Sequence, residues 1–206
     1  MQGLARSFIP LPTRPMTHAD ESALIAACQA GDLSSFTGLY DQYIEPLYRF
    51  LHYRTFDRAL SEDLTSTTFL KAMEKINKFD AAKGTFSAWI FSIARNTLTD
   101  HFRTNHPNAE LPEEWEIAAE DDTRQATEKH LTQKQVREAL SSLDPLQRDI
   151  ITMRMWDGLS YQEIAEIVGK SEGNCKVIYS RTLKELRGRI HPAAFLLLLT
   201  LPTHLL

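Results

Sequence analysis

The sequence has little cysteine, no apolar run long enough to span a bilayer and few stretches that alternate like a strand, and each scarcity removes a class of protein. Cys28 and Cys175 stand far apart and in no metal-ligand spacing. Neither a disulfide scaffold nor a thiolate metal site is expected, and both suit a reducing cytosol as small buried side chains. The seven histidines are scattered, no Gly-rich phosphate loop occurs, and no nucleophile–base pair can be drawn. No catalytic residue, metal or cofactor is therefore expected. The apolar stretch after Pro192 falls short of the roughly 20 residues of a membrane helix. Met1 to Thr17, broken by Pro10, Pro12 and Pro15, lacks the core of a secretory signal. These absences predict no membrane insertion and a cytoplasmic location.

What is present is apolar spacing of three to four residues along most of the chain, which predicts an all-α protein. A length of 206 residues with 43% hydrophobic content is enough for one or two modest cores. The most informative stretch is Pro145 to Arg189. Ser160 and Glu163 form a Ser-x-x-Glu capping box ahead of Ile164, Ala165, Ile167 and Val168, which share one face. Gly169 follows, where a left-handed residue stops a helix. A second start at Ser171-Glu172 opens a helix with Cys175, Tyr179, Thr182, Leu183 and Leu186 inward. Lys176, Ser180, Arg181, Lys184, Arg187 and Arg189 face out.

Two helices around a glycine turn form a helix-turn-helix, whose second helix can enter a major groove. From Lys170 to Arg189 there are six Lys/Arg against two Glu, in a chain of formal charge -4. Bulk charge points away from nucleic acid, and local charge points toward it.

Further upstream, helices are expected over Asp20 to Ala30, from Asp32 or Ser34 through Leu51 with an interruption or kink at Pro46, over Leu60 to Ile76, and from Phe86 to about Arg103. In the third, Leu64, Phe69, Leu70 and Met73 are expected to face inward. The fourth is crowded with Phe86, Trp89, Ile90, Ile93, Leu98 and Phe102. Most of these suit a core, but aromatics beside Lys78, Lys83, Arg95, Asn96 and Arg103 also suit unstacked bases. Asn105 to His130 holds eight acidic and two basic residues with two prolines, the composition of a solvated linker. Helix resumes near Gln125 to Leu143 and again over Leu146 to Trp156. The apolar tail after Pro192 is expected either to cap the second domain or to be a disordered segment.

Glu62-Asp63-Leu64, Phe69-Leu70-Lys71-Ala72, Gly84 to Asn96 and Asp100-His101-Phe102-Arg103 closely resemble sigma region two. Leu143, Leu146-Gln147-Arg148, Gly158 to Ala165 and Ser171-Glu172-Gly173 look like sigma region four. Both in that order, with an acidic linker between, resemble the extracytoplasmic function class of bacterial sigma factors.

The resemblance implies an all-α protein of two small helical domains, a region-two bundle and a region-four helix-turn-helix. The expected division is a flexible arm at 1–19, region two at 20–104, a linker at 105–124, region four at 125–190 and a hydrophobic tail at 191–206. It further implies a protein that binds core RNA polymerase, recognises promoter DNA and promotes strand opening. Glu62, Asp63, Leu64, Phe69 and Met73 would dock on polymerase. Lys78, Asp80, Lys83, Arg95, Asn96, Thr99 and Arg103 would hold the melted minus-ten strand. Glu172, Asn174, Lys176, Val177, Ser180 and Arg181 would read the minus-thirty-five duplex. The long, solvated linker further leads to the expectation of an inhibitory, anti-sigma protein wedged between the two domains. The alternative is a stand-alone helix-turn-helix regulator that never joins polymerase.

In this sequence Asn174-Cys175 and Ile178 depart from the family's usual recognition helix, and Thr65-Ser66-Thr67 from its usual polymerase-facing stretch.

Overall fold

A computed structural model describes residues 16–105 and 128–200. Expectations for most of the N-terminal arm, the linker and the last six residues lie outside the described residues. Among the described residues there is no strand, and nine α-helices run in order. They are α1 (His18–Gln29), α2 (Phe36–Thr55), α3 (Arg58–Lys75), α4 (Phe86–Asn105), α5 (Glu128–Ser141), α6 (Pro145–Met155), α7 (Tyr161–Val168), α8 (Glu172–Arg189) and α9 (Pro192–Thr200). Short 3-10 turns at Leu33–Ser35 and Ile76–Lys78 precede α2 and follow α3.

Most helix starts follow from a polar side chain that satisfies an otherwise unpaired amide. Thr17, Asp144 and Ser160 each complete a reciprocal capping box, with Asp20, Gln147 and Glu163. Asp57 accepts from the Leu60 amide at 2.9 Å and Ser171 from the Asn174 amide at 3.2 Å. Gly169 ends α7 at φ 69°, a conformation that costs a side chain-bearing residue about 1 kcal/mol or more.

Of the interruption or kink expected at Pro46, the interruption does not occur. The helix runs unbroken from Phe36 to Thr55. A proline inside a helix costs about 3 kcal/mol. Here that cost is offset by Leu47, Phe50 and Leu51, which lie in the same helix and are fully buried.

Two apolar clusters hold the molecule together, and neither is confined to one half of the chain. The larger joins Leu39, Leu47, Phe50, Ile90, Phe91 and Leu98 of the front helices to Ile150, Met153, Ile164 and Cys175 of the rear ones. The second takes Tyr53 and Phe56 from the front and packs them with Val136, Leu140, Ile151, Leu186 and Leu198. In consequence α4 lies against α7 and α2 against α6.

Phe56 is the pivot of this second cluster. It ends α2 in a left-handed conformation at φ 52°, which strains a bulky residue. Its ring is 4% exposed and carries the guanidinium carbons of Arg137 and Arg148 at 5.4 and 5.3 Å from its centroid. Arg137 also donates to the Phe56 carbonyl at 3.1 Å. Burial and cation–π contact offset the strain.

The tail forms a cap, one of its two expected fates. In α9, Ala194 and Leu198 are fully buried against α5, while Leu196 and Leu199 stay exposed. The Trp156 indole N–H donates to the Leu198 carbonyl at 3.0 Å and so fixes the helix end.

Candidate polymerase and nucleic-acid surfaces

The expected polymerase-facing residues divide between surface and core. Glu62 and Asp63 are exposed on α3, with Glu62 paired to Arg58 at 2.9 Å. Leu64 and Phe69 are 3% and 5% exposed and belong to the core, and Met73 is half-buried. Leu70, expected to face inward, is instead 57% exposed. The reason is the helix phase. The buried positions Ser61, Leu64, Thr65, Thr68, Phe69 and Ala72 follow a spacing of three and four that leaves Leu70 outside. The threonines are tolerated there because Thr65 and Thr68 donate to the carbonyls of Ser61 and Leu64, each at 2.7 Å. Leu70 and Tyr40 are both exposed apolar side chains of the front helices.

The loop between α3 and α4 is pinned from behind. The Gln29 side-chain amide donates to the carbonyls of Ile76 and Phe79 at 3.0 and 2.9 Å. Lys78, Asp80 and Lys83 project from it and are all exposed. Asp80 accepts from the Ala82 amide at 3.0 Å and pairs with Lys83 at 3.2 Å. These two contacts, the amide foremost, hold its carboxyl below the ordinary carboxylate value.

Arg95, Thr99 and Arg103 follow at intervals of four along α4, with Asn96 exposed beside them. The aromatics are less available than the sequence suggested. Phe86 and Phe91 are each 1% exposed. Phe79, Phe86 and Trp89 pack on one another at 5.3 to 5.4 Å between centroids. Only Trp89 and Phe102 of the expected aromatics are half-exposed.

The positions expected to face outward on α8 lie at the surface. Glu172, Asn174, Lys176, Val177, Ser180 and Arg181 are all exposed. Cys175, Thr182 and Leu186 are buried on the opposite side, and Tyr179 and Leu183 are half-buried. Lys176 is held by Glu172 at 2.5 Å and lies 5.7 Å from the Tyr161 ring centroid. The face therefore presents one cation, Lys176, already oriented by its neighbours.

Sequence reasoning missed the charged residues that join the halves. The Arg49 guanidinium meets Asp157 at 2.6 Å, and the Asp157 side chain has no exposure at all. Burial pushes the Asp157 carboxyl up to about 7 although Arg49 works against it, and its Oδ2 has no hydrogen-bond partner. Asp149, with a side chain 1% exposed, lies between Arg54 at 3.0 Å and Arg95 at 3.4 Å. The Arg54 Nε contact is an ion pair whose angles do not make a hydrogen bond.

Glu163, already used in the α7 capping box, also accepts from Thr85 Oγ1 at 2.7 Å and from Ser87 Oγ. Burial would raise its carboxyl, but the hydrogen bonds from Ser87, Thr85 and Ser160 bring it below the ordinary value. One signal was available: Arg49 and Asp149 are charges on otherwise apolar helix faces, which in a folded chain require partners.

Two family models match the chain, Sigma-70 region 2 over residues 39–107 and Sigma-70 region 4 over residues 133–186. The chain is 34% identical to the ECF RNA polymerase sigma factor BldN of Streptomyces coelicolor, over 84% of this chain and 68% of that one. It is 29% identical to the ECF RNA polymerase sigma factor SigM of Bacillus subtilis, over 72% of this chain and 91% of that one. Among solved structures, CnrH in complex with the cytosolic domain of CnrY matches with a TM-score of 0.63 at 21% identity, over 82% of this chain and 96% of that one. RpoE in complex with the anti-sigma factor NepR from Bartonella quintana matches with a TM-score of 0.61 at 23% identity, over 75% and 96% respectively. Both structural likenesses concern the fold.

Proposed function

This chain belongs to the ECF class of RNA polymerase sigma factors, and from that membership we propose which of its surfaces performs each part of transcription initiation. As a sigma factor it binds core RNA polymerase and promoter DNA. The proposal concerns the residues. Residues 20–104 form the unit that meets polymerase and the minus-ten strand, and residues 125–190 the unit that meets the minus-thirty-five duplex. The observation that carries the division is the exposed, oriented face of α8 in the region-four match, set apart in sequence from the exposed cations of the region-two match.

On the front unit, Glu62 and Asp63 are the polar contacts to polymerase, with Leu70 and Tyr40 supplying apolar area and Leu64, Phe69 and Met73 holding α3 in shape. Lys78, Lys83, Arg95 and Arg103 neutralise the phosphates of the melted strand, and Asp80, Asn96 and Thr99 offer hydrogen bonds to bases. Extruding a base costs a few kcal/mol of stacking, which such contacts offset. Preferential binding of the open strand shifts the equilibrium toward it. The chain thus acts without a catalytic residue and without a cofactor. On the rear unit, Lys176 and Arg181 supply contacts to base edges or phosphates, and Glu172, Asn174, Val177 and Ser180 complete the recognition face.

Among the described residues no helix is long and apolar enough to cross a membrane; a cytoplasmic site of action is proposed from the family membership. CnrH and RpoE were solved with the cytosolic domain of CnrY and the anti-sigma factor NepR. An inhibitory protein partner is proposed for this chain on that basis. The stand-alone regulator reading leaves residues 39–107 without a role. The test is transcription by core polymerase with the purified protein on fragmented genomic DNA. Promoter-specific transcripts are expected, and their absence where a known sigma factor yields them would overturn the proposal.

A further inference from the structure

We propose that the outward face of α8 selects a thymine in the major groove, with Val177 against its C5 methyl and Gly173 clearing the room for that approach. The inference rests on the reading of α8 as the helix that meets the minus-thirty-five duplex, and it names the base chemistry that this helix selects.

Residues four apart on a helix lie one above the other. On α8 this produces two neighbouring outward rows. Glu172, Lys176 and Ser180 make the first, Gly173, Val177 and Arg181 the second, and all six are exposed. Chemistry separates the rows. In the first, Lys176 pairs with Glu172 at 2.5 Å and lies 5.7 Å from the Tyr161 ring centroid, so its charge is already engaged within the protein. The second runs from a missing side chain through an apolar one to a cation.

Neither Val177 nor Gly173 serves the fold. Val177 is 47% exposed and belongs to neither apolar cluster, although its neighbours Ile178 and Tyr179 pack against the larger one. A β-branched residue is a poor choice for an exposed helix position, where its restricted rotamers lower helix propensity. Gly173 is weaker still as a helix former. Its backbone is helical and lacks the positive φ of Gly169, and a Cβ built on it would meet nothing within 4 Å. The fold has room for a side chain there and gains nothing from its absence.

A ligand accounts for both residues. Side chains on a helix lean toward its N-terminus, so the Val177 methyls reach over the turn that holds Gly173. The glycine leaves that turn uncovered, which lets backbone and valine come close to an opposing surface. Gly173 stands in the first turn of α8, the part of a recognition helix that contacts base edges. Those edges in the major groove are hydrogen-bond donors and acceptors, with one apolar group among them, the thymine methyl. Valine against any other edge leaves a polar group without a partner. Arg181, one turn further on, holds the row to the DNA by charge. A lone exposed valine is ordinary, but this one stands over a bare turn and beside two cations.

The test uses the holoenzyme, core polymerase with the full chain, on a promoter duplex recovered by the transcription assay above. Each thymine of its minus-thirty-five region is replaced singly by uracil, which deletes the C5 methyl and nothing else. With wild type, uracil at one position is expected to weaken binding about fourfold, the worth of one buried methyl-sized group. With Val177→Ala, uracil at that same position is expected to have no effect. Gly173→Ala is expected to keep or raise the melting temperature and to weaken binding of the parent duplex about tenfold, the cost of a methyl forced into a filled contact. A residue with a purely structural role would not combine those two results.

A minus-thirty-five region in which no single uracil matters, or one without thymine, overturns the contact. So does a uracil effect that persists undiminished in Val177→Ala. Unchanged duplex affinity in Gly173→Ala overturns the close approach. In each of these outcomes the wild-type holoenzyme still transcribes from the promoter, and the proposed function stands. If no promoter-directed transcript is obtained with wild type, the proposed function is lost and this inference with it.

Discussion

The Phe56 ring, at the end of α2, sits 5.3 Å beneath the guanidinium carbon of Arg148 in α6, so one residue from the front half is roofed by a cation from the rear. That cation is itself committed. Arg148 donates to the carbonyls of Leu140, Ser141 and Leu143 at 2.8 to 2.9 Å and closes the end of α5. Burial, followed by the nearby Arg54, brings its pKa down to about 10, which leaves it charged at neutral pH.

Phe56→Ala removes a buried ring that joins both halves. A loss of about 3 to 5 kcal/mol is expected for a core phenylalanine, and the left-handed backbone strain remains. Chemical denaturation of the full chain checks the magnitude. A loss under 1 kcal/mol would mean that the ring is not packed as described.

Asp63→Arg places a cation on the exposed α3 face without touching the core. Co-purification with core polymerase is expected to be abolished while the circular dichroism melt is unchanged. Retained co-purification would remove Asp63 from the polymerase surface.

Lys176→Ala and Arg181→Ala are each expected to weaken binding of duplex promoter DNA by about 1 to 3 kcal/mol if they contact bases, or to reduce the salt slope by about one if they contact phosphate. Core polymerase binding is expected to stay intact. Unchanged affinity in both variants would remove α8 as the recognition helix.

His52 gives a pH signature. Burial, then the nearby Arg137, lowers its pKa to about 4, with Asp57 acting the other way and Arg58 adding to the lowering. Between that value and an unfolded pKa of about 6.5, the unfolded chain binds the extra proton. Stability therefore falls as pH drops through this window, by at most about 3 kcal/mol. In His52→Gln the slope of the melting temperature against pH is expected to flatten between pH 6 and 4.5, and an unchanged slope would count against it.

The helices and the outward face of α8 were legible because their determinants are local. Ser160, Glu163 and Gly169 specify α7 within ten residues, and alternating burial along α8 follows from the spacing of Cys175, Thr182 and Leu186. The unbroken α2 was not legible, since what rescues Pro46 is packing by distant helices. Leu70 was misassigned because an apolar side chain carries no sign of which way it faces when its neighbours are threonines. Arg49, Asp149 and Asp157 were missed for a related reason. Their partners lie more than 50 positions away, and no local pattern links an acid to an arginine across that separation.

Trp156 lies at the junction of three segments. Its ring is 4.5 Å from that of Tyr53 on α2, and its N–H ends on the α9 carbonyl of Leu198. Anything that draws these segments apart wets the indole and moves its emission to the red, so the molecule carries its own optical gauge and its rearrangements can be followed without attaching a dye.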